Sequence, residues 1–339
     1  MILAFKVASG GAAVSVDVAI AHFTTPFVSA YPWVNGFGTK YADPATLPGN
    51  NFGLGVNYNV AGTDIAVAHD SSPFISVYPW SNGFGSKYAN PASLPTGAAG
   101  GRQNIHWSPS GSDIAMSQGS SPRINAWAWS SGFGTKYANP ATLPTSGGNG
   151  LRFSPDGSWI GIGALGNPYQ AVYPWSGSGF GAKIANPATL PAGSGNGIAW
   201  TSNTDYIAIA HNTSPYISVY PFTTSFGTKI SNPATLPTGN GQSVAFKNDD
   251  GAIAVGHTSS PRVTVYPWTG SFGTKYTNPA TLPADQCDGV EWSDDDSTFA
   301  VATNGSPYIV AYPWSAGFGT KYANPATLPA GLGFGISWN

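Results

Sequence analysis

The sequence is poor in charge. Lys, Arg, Asp and Glu make up 8% of its 339 residues, against about 25% in an average soluble domain. The formal net charge is −2. A nucleic-acid binder shows a basic face or stripe, and a membrane-surface protein shows a polybasic cluster. Neither has the residues to form here. No apolar run reaches the roughly 18 residues that a spanning helix needs, so membrane insertion is not expected. The one cysteine, Cys287, rules out an intrachain disulfide. The start, from Met1 to Gly11, has too short an apolar stretch for a secretory signal peptide. Common catalytic signatures are missing as well: there is no HExxH, no GxSxG and no Walker loop. No cofactor and no metal site are expected from the sequence.

What is abundant is turn-forming and aromatic. Gly (44) and Pro (29) are about a fifth of the chain. These are the two poorest helix residues, whereas the 12 Trp, 16 Tyr and 17 Phe favour strands. The punctuation is periodic. Tyr-Pro-Trp or a variant occurs seven times, ending at Trp33, Trp80, Trp129, Trp175, Phe222, Trp268 and Trp314, 46 to 49 residues apart. A Gly-Phe-Gly-Thr-Lys-like turn follows each copy, and then a copy of Asn-Pro-Ala-Thr-Leu-Pro.

Each unit reads as four short strands. The first is of the type Gly-Ile-Ala-Trp (197–200). A hairpin such as Ser-Pro-Asp-Gly-Ser (154–158) follows, with Gly157 supplying a positive φ. The second strand is of the type Asp64 to His69, the third of the type Tyr216 to Phe222, and the fourth of the type Thr320 to Ala323. Proline in the third strand must sit at its end or at a bulge, because it has no N–H for a second ladder. Repeats of this length with four strands point to a β-propeller. The expected fold is all-β: a seven-bladed β-propeller of four-stranded antiparallel blades, spanning residues 13–48 plus 334–339, then 53–95, 103–144, 150–191, 196–237, 242–283 and 288–329. The ring closes where the C-terminal strand Gly335 to Trp338 pairs with the N-terminal blade. Leu3 to Ala8 competes for that place.

The residue pattern resembles the WD-repeat propellers. The match is best at Phe153-Ser154-Pro155-Asp156-Gly157-Ser158, then Ile160, then Trp175. Tyr-Pro-Trp stands where that family has its Trp-Asp pair. The unit also resembles repeats in proteins from bacteriophage genomes.

His22, His69, His211 and His257 share one position in the repeat, so they lie on different blades and cannot converge on one ion. A structural hydrogen bond is expected for each. The repeated aromatics are expected to pack between blades. One Lys per blade, such as Lys136 and Lys183, is expected at an outer strand edge.

Function is sought where the copies disagree. Arg102, His106, Arg123, Arg152, Arg262, Asp285, Asp288 and Glu291 lack counterparts in most other units. Arg102, Arg123, Arg262 and Asp285 fall in the two loop sets that leave one face of a meander blade, and His106 begins near them. These five are the expected partner-binding residues, with no catalytic residue and no enzyme. The resemblance to phage repeats implies a non-enzymatic structural or binding protein of a virion or tail: a fibre, decoration or host-attachment module. Its partners would be other virion proteins or a host surface receptor, including a glycan. It would be made in the host cytoplasm and be found in the virion or outside the cell. An intracellular interaction scaffold and a glycan-binding lectin are the alternatives.

Overall fold

The computed structural model describes residues 16–339, and it is all-β. The strands follow one another as β1 (Val16–His22), β2 (Val28–Trp33), β3 (Gly53–Tyr58), β4 (Asp64–His69), β5 (Ile75–Pro79), β6 (Ile105–Trp107), β7 (Asp113–Ser117), β8 (Ile124–Trp129), β9 (Phe133–Lys136), β10 (Gly148–Phe153) and β11 (Trp159–Ala164). They continue as β12 (Gln170–Pro174), β13 (Gly195–Trp200), β14 (Tyr206–His211), β15 (Ile217–Pro221), β16 (Gly241–Phe246), β17 (Ala252–His257), β18 (Val263–Pro267), β19 (Cys287–Trp292), β20 (Thr298–Thr303), β21 (Ile309–Pro313) and β22 (Gly333–Trp338). They form seven antiparallel sheets, each a meander apart from the first. That sheet has the order β2-β1-β22, so the last strand completes it. The alternative strand, Leu3 to Ala8, lies outside the described residues, as does the start of the first expected blade.

The sheets stack through a small-against-large contact that repeats around the molecule. The second strands alternate Ala or Gly with Ile or Val, and alternate residues face opposite sides of a sheet. Ala19 and Ala21 of β1 pack against Ile65 and Val67 of β4. Ala66 and Ala68 of β4 in turn pack against Ile114 and Met116 of β7. Seven such cores lie between successive sheets, and the seventh joins β20 and β21 to β1, β2 and β22. The repeated aromatics are buried within them: Trp80 and Trp175 are each 5% exposed. Each makes an edge-to-face contact with the Phe of its own turn, as in Trp80–Phe84 at 5.0 Å.

The innermost strands β22, β3, β6, β10, β13, β16 and β19 lie side by side in that order, and β19 touches β22. Glycine permits this approach. A Cβ on Gly335 of β22 would meet the Gly55 Cα of β3 at 2.9 Å, and one on Gly197 of β13 would meet the Ser243 Cα of β16 at 2.8 Å. The arrangement fits a seven-bladed propeller.

The expectation of four-stranded blades is corrected. Six sheets have three strands, and only β6-β7-β8-β9 has four. In the other six the fourth segment is reduced to a single bridge, such as Trp268 to Phe272. The third strand explains the difference. Pairing of Trp127 with Lys136 needs the N–H of residue 128 in the ladder. Residue 128 is Ala, whereas Pro32, Pro79, Pro174, Pro221, Pro267 and Pro313 occupy its place elsewhere and have no N–H. The segment still runs alongside, held by bonds such as Tyr276 N to the Val265 carbonyl at 2.9 Å.

The shared polar residues stitch the sheets. His22, His69 and His211 pair through Nε2 with Ser29, Ser76 and Ser218 at 3.0 to 3.1 Å, and His257 pairs with Thr264 at 2.9 Å. Burial pushes the pKa of each down to about 4, so the rings are neutral. The Tyr78 hydroxyl donates to the Thr46 carbonyl at 2.8 Å, tying one sheet to the Asn-Pro-Ala-Thr-Leu-Pro segment before it. Tyr220 and Tyr312 repeat the tie. Trp127 makes it through its indole N–H.

Candidate functional site

The seven innermost strands lie side by side, so each repeat position recurs as a layer across them. Two layers carry the unshared polar residues. Near the start of the strands the layer is Leu54, Gln103, Asn149, Asn196, Gln242, Asp288 and Phe334. Near the end it is Asn57, His106, Arg152, Ala199, Ala245, Glu291 and Ser337. The positions flanking this second layer are uniform: branched aliphatics before it, aromatics after it.

The second layer floors a cavity of about 570 Å³, within the usual size range of small-molecule sites. Trp107, Phe153, Trp200, Phe246 and Trp292 form its walls, and Lys247 and Asp294 of the first hairpins stand at its rim. Ala199 and Ala245 leave the floor open on one side, and polar groups converge from the other. Arg152 Nη2 donates to Glu291 Oε1 at 3.2 Å, from β10 to β19. Arg152 Nη1 lies 3.4 Å from His106 Nε2. His106 Nδ1 accepts the Phe153 backbone N–H at 3.3 Å. Arg152 can only donate, so acceptance at Nδ1 and acceptance at Nε2 belong to alternative tautomers of the neutral ring. Burial, and then the Arg152 charge, push the His106 pKa down to about 3, so the ring is neutral. Arg152 Nη1 is thus the fixed donor of the group. Burial also raises the pKa of Glu291, against the opposing effect of Arg152. Its carboxylate is a stronger base than an ordinary one.

The five sequence-expected residues are divided among three places. His106 belongs to this cavity. Arg102 lies at the opposite end of the inner strands, where Nε reaches Asp288 Oδ1 at 2.8 Å and Nη1 donates to Gln242 Oε1 at 2.8 Å. Arg262 and Asp285 approach one another at 3.6 Å on the loops of that end. Arg123 and Arg262 each donate to a carbonyl of their own loop, Gly119 and Thr258, which gives them a local structural task. The cavity therefore opens on the face that carries the repetitive turns. The first hairpins emerge there too, and they vary: Ser-Pro-Ser-Gly, Ser-Pro-Asp-Gly and Asn-Asp-Asp-Gly among them. Arg152 and Glu291 stood out in the sequence only as unshared charges. The stronger signal was one variable position between two constant ones in the first strand.

No protein-family model matches the chain, and no curated protein matches it in sequence. Solved structures do match its fold. A periplasmic gluconolactonase from Pseudomonas aeruginosa aligns with a TM-score of 0.71 at 10% identity, over 96% of this chain and 99% of that one. A putative 6-phosphogluconolactonase from Bacteroides fragilis aligns with a TM-score of 0.68 at 10% identity, over 98% and 100%. A β-propeller domain from Myceliophteria thermophila gives 0.62 at 10% identity, over 84% and 90%. At this identity the likeness is one of fold. It places the propeller resemblance on structural ground, and nothing in it links the chain to phage repeat proteins. The expectation of a non-enzymatic virion or tail protein is corrected by the first two of these neighbours, one named a gluconolactonase and the other a putative 6-phosphogluconolactonase.

Proposed function

We propose that the protein is a hydrolase that opens a small lactone in the cavity over His106, Arg152 and Glu291, and that its seven sheets close as a ring around this site. The observation that carries the reading is the Arg152 guanidinium, a fixed donor set between His106 at 3.4 Å and a half-buried carboxylate at 3.2 Å. A lactone carbonyl oxygen that accepts from Arg152 Nη1 would have the negative charge that develops on it stabilised there. Glu291 takes a proton from a water whose oxygen adds to the carbonyl carbon. The tetrahedral species then collapses, the ring C–O bond breaks, and the departing alkoxide recovers the proton from Glu291. One water is consumed and a hydroxy acid is released.

The lactonase neighbours support the choice of ester chemistry, and the fixed guanidinium of Arg152 supports its assignment as donor. Closure is supported by the core that joins β20 and β21 to β1 and by the Gly335–Gly55 approach. Hydrolysis of glucono-lactone, followed by proton release and corrected for the spontaneous rate, tests the reading. Arg152→Ala or Glu291→Gln should each lower kcat/KM by about 10²–10³-fold. A wild-type rate equal to background, or variants as active as the wild type, would overturn it.

A further inference from the structure

We propose that this cavity selects an uncharged, polyhydroxylated lactone over its phosphorylated counterpart, with Asp294 at the rim as the residue that sets the preference. The inference rests on the lactone-hydrolase reading above and adds the substrate class.

The argument is a charge count around the cavity. Among its lining residues the cations are Arg152 and Lys247. Both are already engaged. Arg152 is paired with Glu291 at 3.2 Å. Lys247 is paired with Asp249, and with Asp296 at 3.3 Å. Asp294 also lines the cavity, yet it appears in no ion pair of the described residues. The charges of Asp295 and Asp296 act on it, and both are negative. The rim field is therefore negative.

A phosphate monoester brings a charge of about −1.5 to −2 near neutral pH and three oxygens that seek cations or backbone donors. To be held here it would have to break the Lys247 pairs and approach Asp294. A neutral sugar lactone meets neither obstacle. Ser202 and Asn248 of the lining are polar and uncharged, and suit the hydroxyls of such a ligand. Selectivity of this kind is a difference between two affinities, and repulsion of the wrong ligand sets it as effectively as attraction of the right one.

The test compares glucono-lactone with 6-phosphoglucono-lactone as substrates, and the corresponding lactams as non-hydrolysed ligands. Binding of the lactams is read by fluorescence of the wall tryptophans. The wild type should favour the neutral member of each pair by about tenfold or more, and Asp294→Lys should shrink or reverse that ratio by about tenfold. Equal or better use of the phosphorylated member overturns the proposal, as does an unchanged ratio in Asp294→Lys. The two readings separate cleanly. Preferential binding of the neutral lactam without turnover of either lactone removes the hydrolase and keeps the selectivity. Turnover of both lactones at similar efficiency does the reverse. If neither lactam binds and neither lactone is turned over, both readings fall.

Discussion

Arg152 on β10 and Glu291 on β19 form an ion pair at 3.2 Å, each side chain 18% exposed. They sit on strands that are not neighbours, with β13 and β16 between them. Deleting one partner leaves the other charge in a poorly solvated site. Arg152→Ala should cost about 1–3 kcal/mol, less than a fully buried pair because some solvent reaches it. Arg152→Leu combined with Glu291→Leu should recover most of that stability without restoring hydrolysis. Thermal unfolding and lactone turnover measured on the same samples check both halves. A double variant as unstable as the single one would show that the pair matters through geometry rather than charge.

The buried histidines predict acid sensitivity with a definite sign. His22, His69, His211 and His257 have pKa values near 4 in the fold and titrate near the ordinary 6.5 when unfolded. Between those values the unfolded chain holds more protons. Stability is therefore full above about pH 6.5 and falls as pH drops towards 4, by up to about 1.4 kcal/mol per pH unit for each histidine. One sheet shows how to remove the effect. Gln118 accepts a bond from Asn125 Nδ2 at 2.7 Å in the equivalent place, with nothing to titrate. His211→Gln with Ser218→Asn should flatten the slope between pH 6.5 and 4 by roughly one histidine's share. Chemical unfolding across that range reads it, and an unaltered slope would move the sensitivity elsewhere.

Proline placement predicts a strand that can be restored. Pro267→Ala supplies the N–H that Ala128 has in the four-stranded sheet. The amide of residue 267 should then bond to the Thr274 carbonyl and resist hydrogen exchange. The gain of about 1 kcal/mol from the bond is offset by about 0.4–1 kcal/mol of added freedom in the unfolded chain, so the melting temperature should scarcely move. Fast exchange at residue 267 would mean that something other than the missing donor keeps the fourth segment out of the sheet.

Removal of residues 333–339 takes away β22. That exposes Val18 and Ile20 of β1 and leaves an unpaired sheet edge. The truncated chain should lose its single cooperative transition and aggregate on heating. Unchanged melting by calorimetry would show that another segment fills the place of β22.

Much of the fold was legible because the chain contains seven versions of one answer. Comparing Tyr-Pro-Trp copies located the third strands, and the last Gly-Ile-Ser-Trp located the strand that completes the first sheet. The fourth strand was overestimated, since Thr-Lys-Tyr-Ala looks alike in every copy and the deciding residue, Ala128, lies in the strand before it. The site was harder. Loop arginines such as Arg123 and Arg262 vary because each fits its own loop carbonyl, a contact that sequence cannot reveal. His106, Arg152 and Glu291 are brought together by strand position alone, over sequence separations that the stacking of sheets collapses.

The pairing of β22 with β1 also has a consequence for biosynthesis. β1 leaves the ribosome among the first strands, yet the neighbour that covers its inner edge is translated only after the other six sheets. During elongation that edge is a vacant template for any extended segment nearby. The middle sheets can form and stack in order as they emerge, but the register between first and last is settled at the end. Nascent-chain experiments should find β1 guarded by a chaperone or left open until β22 arrives, and slow translation would lengthen that exposure.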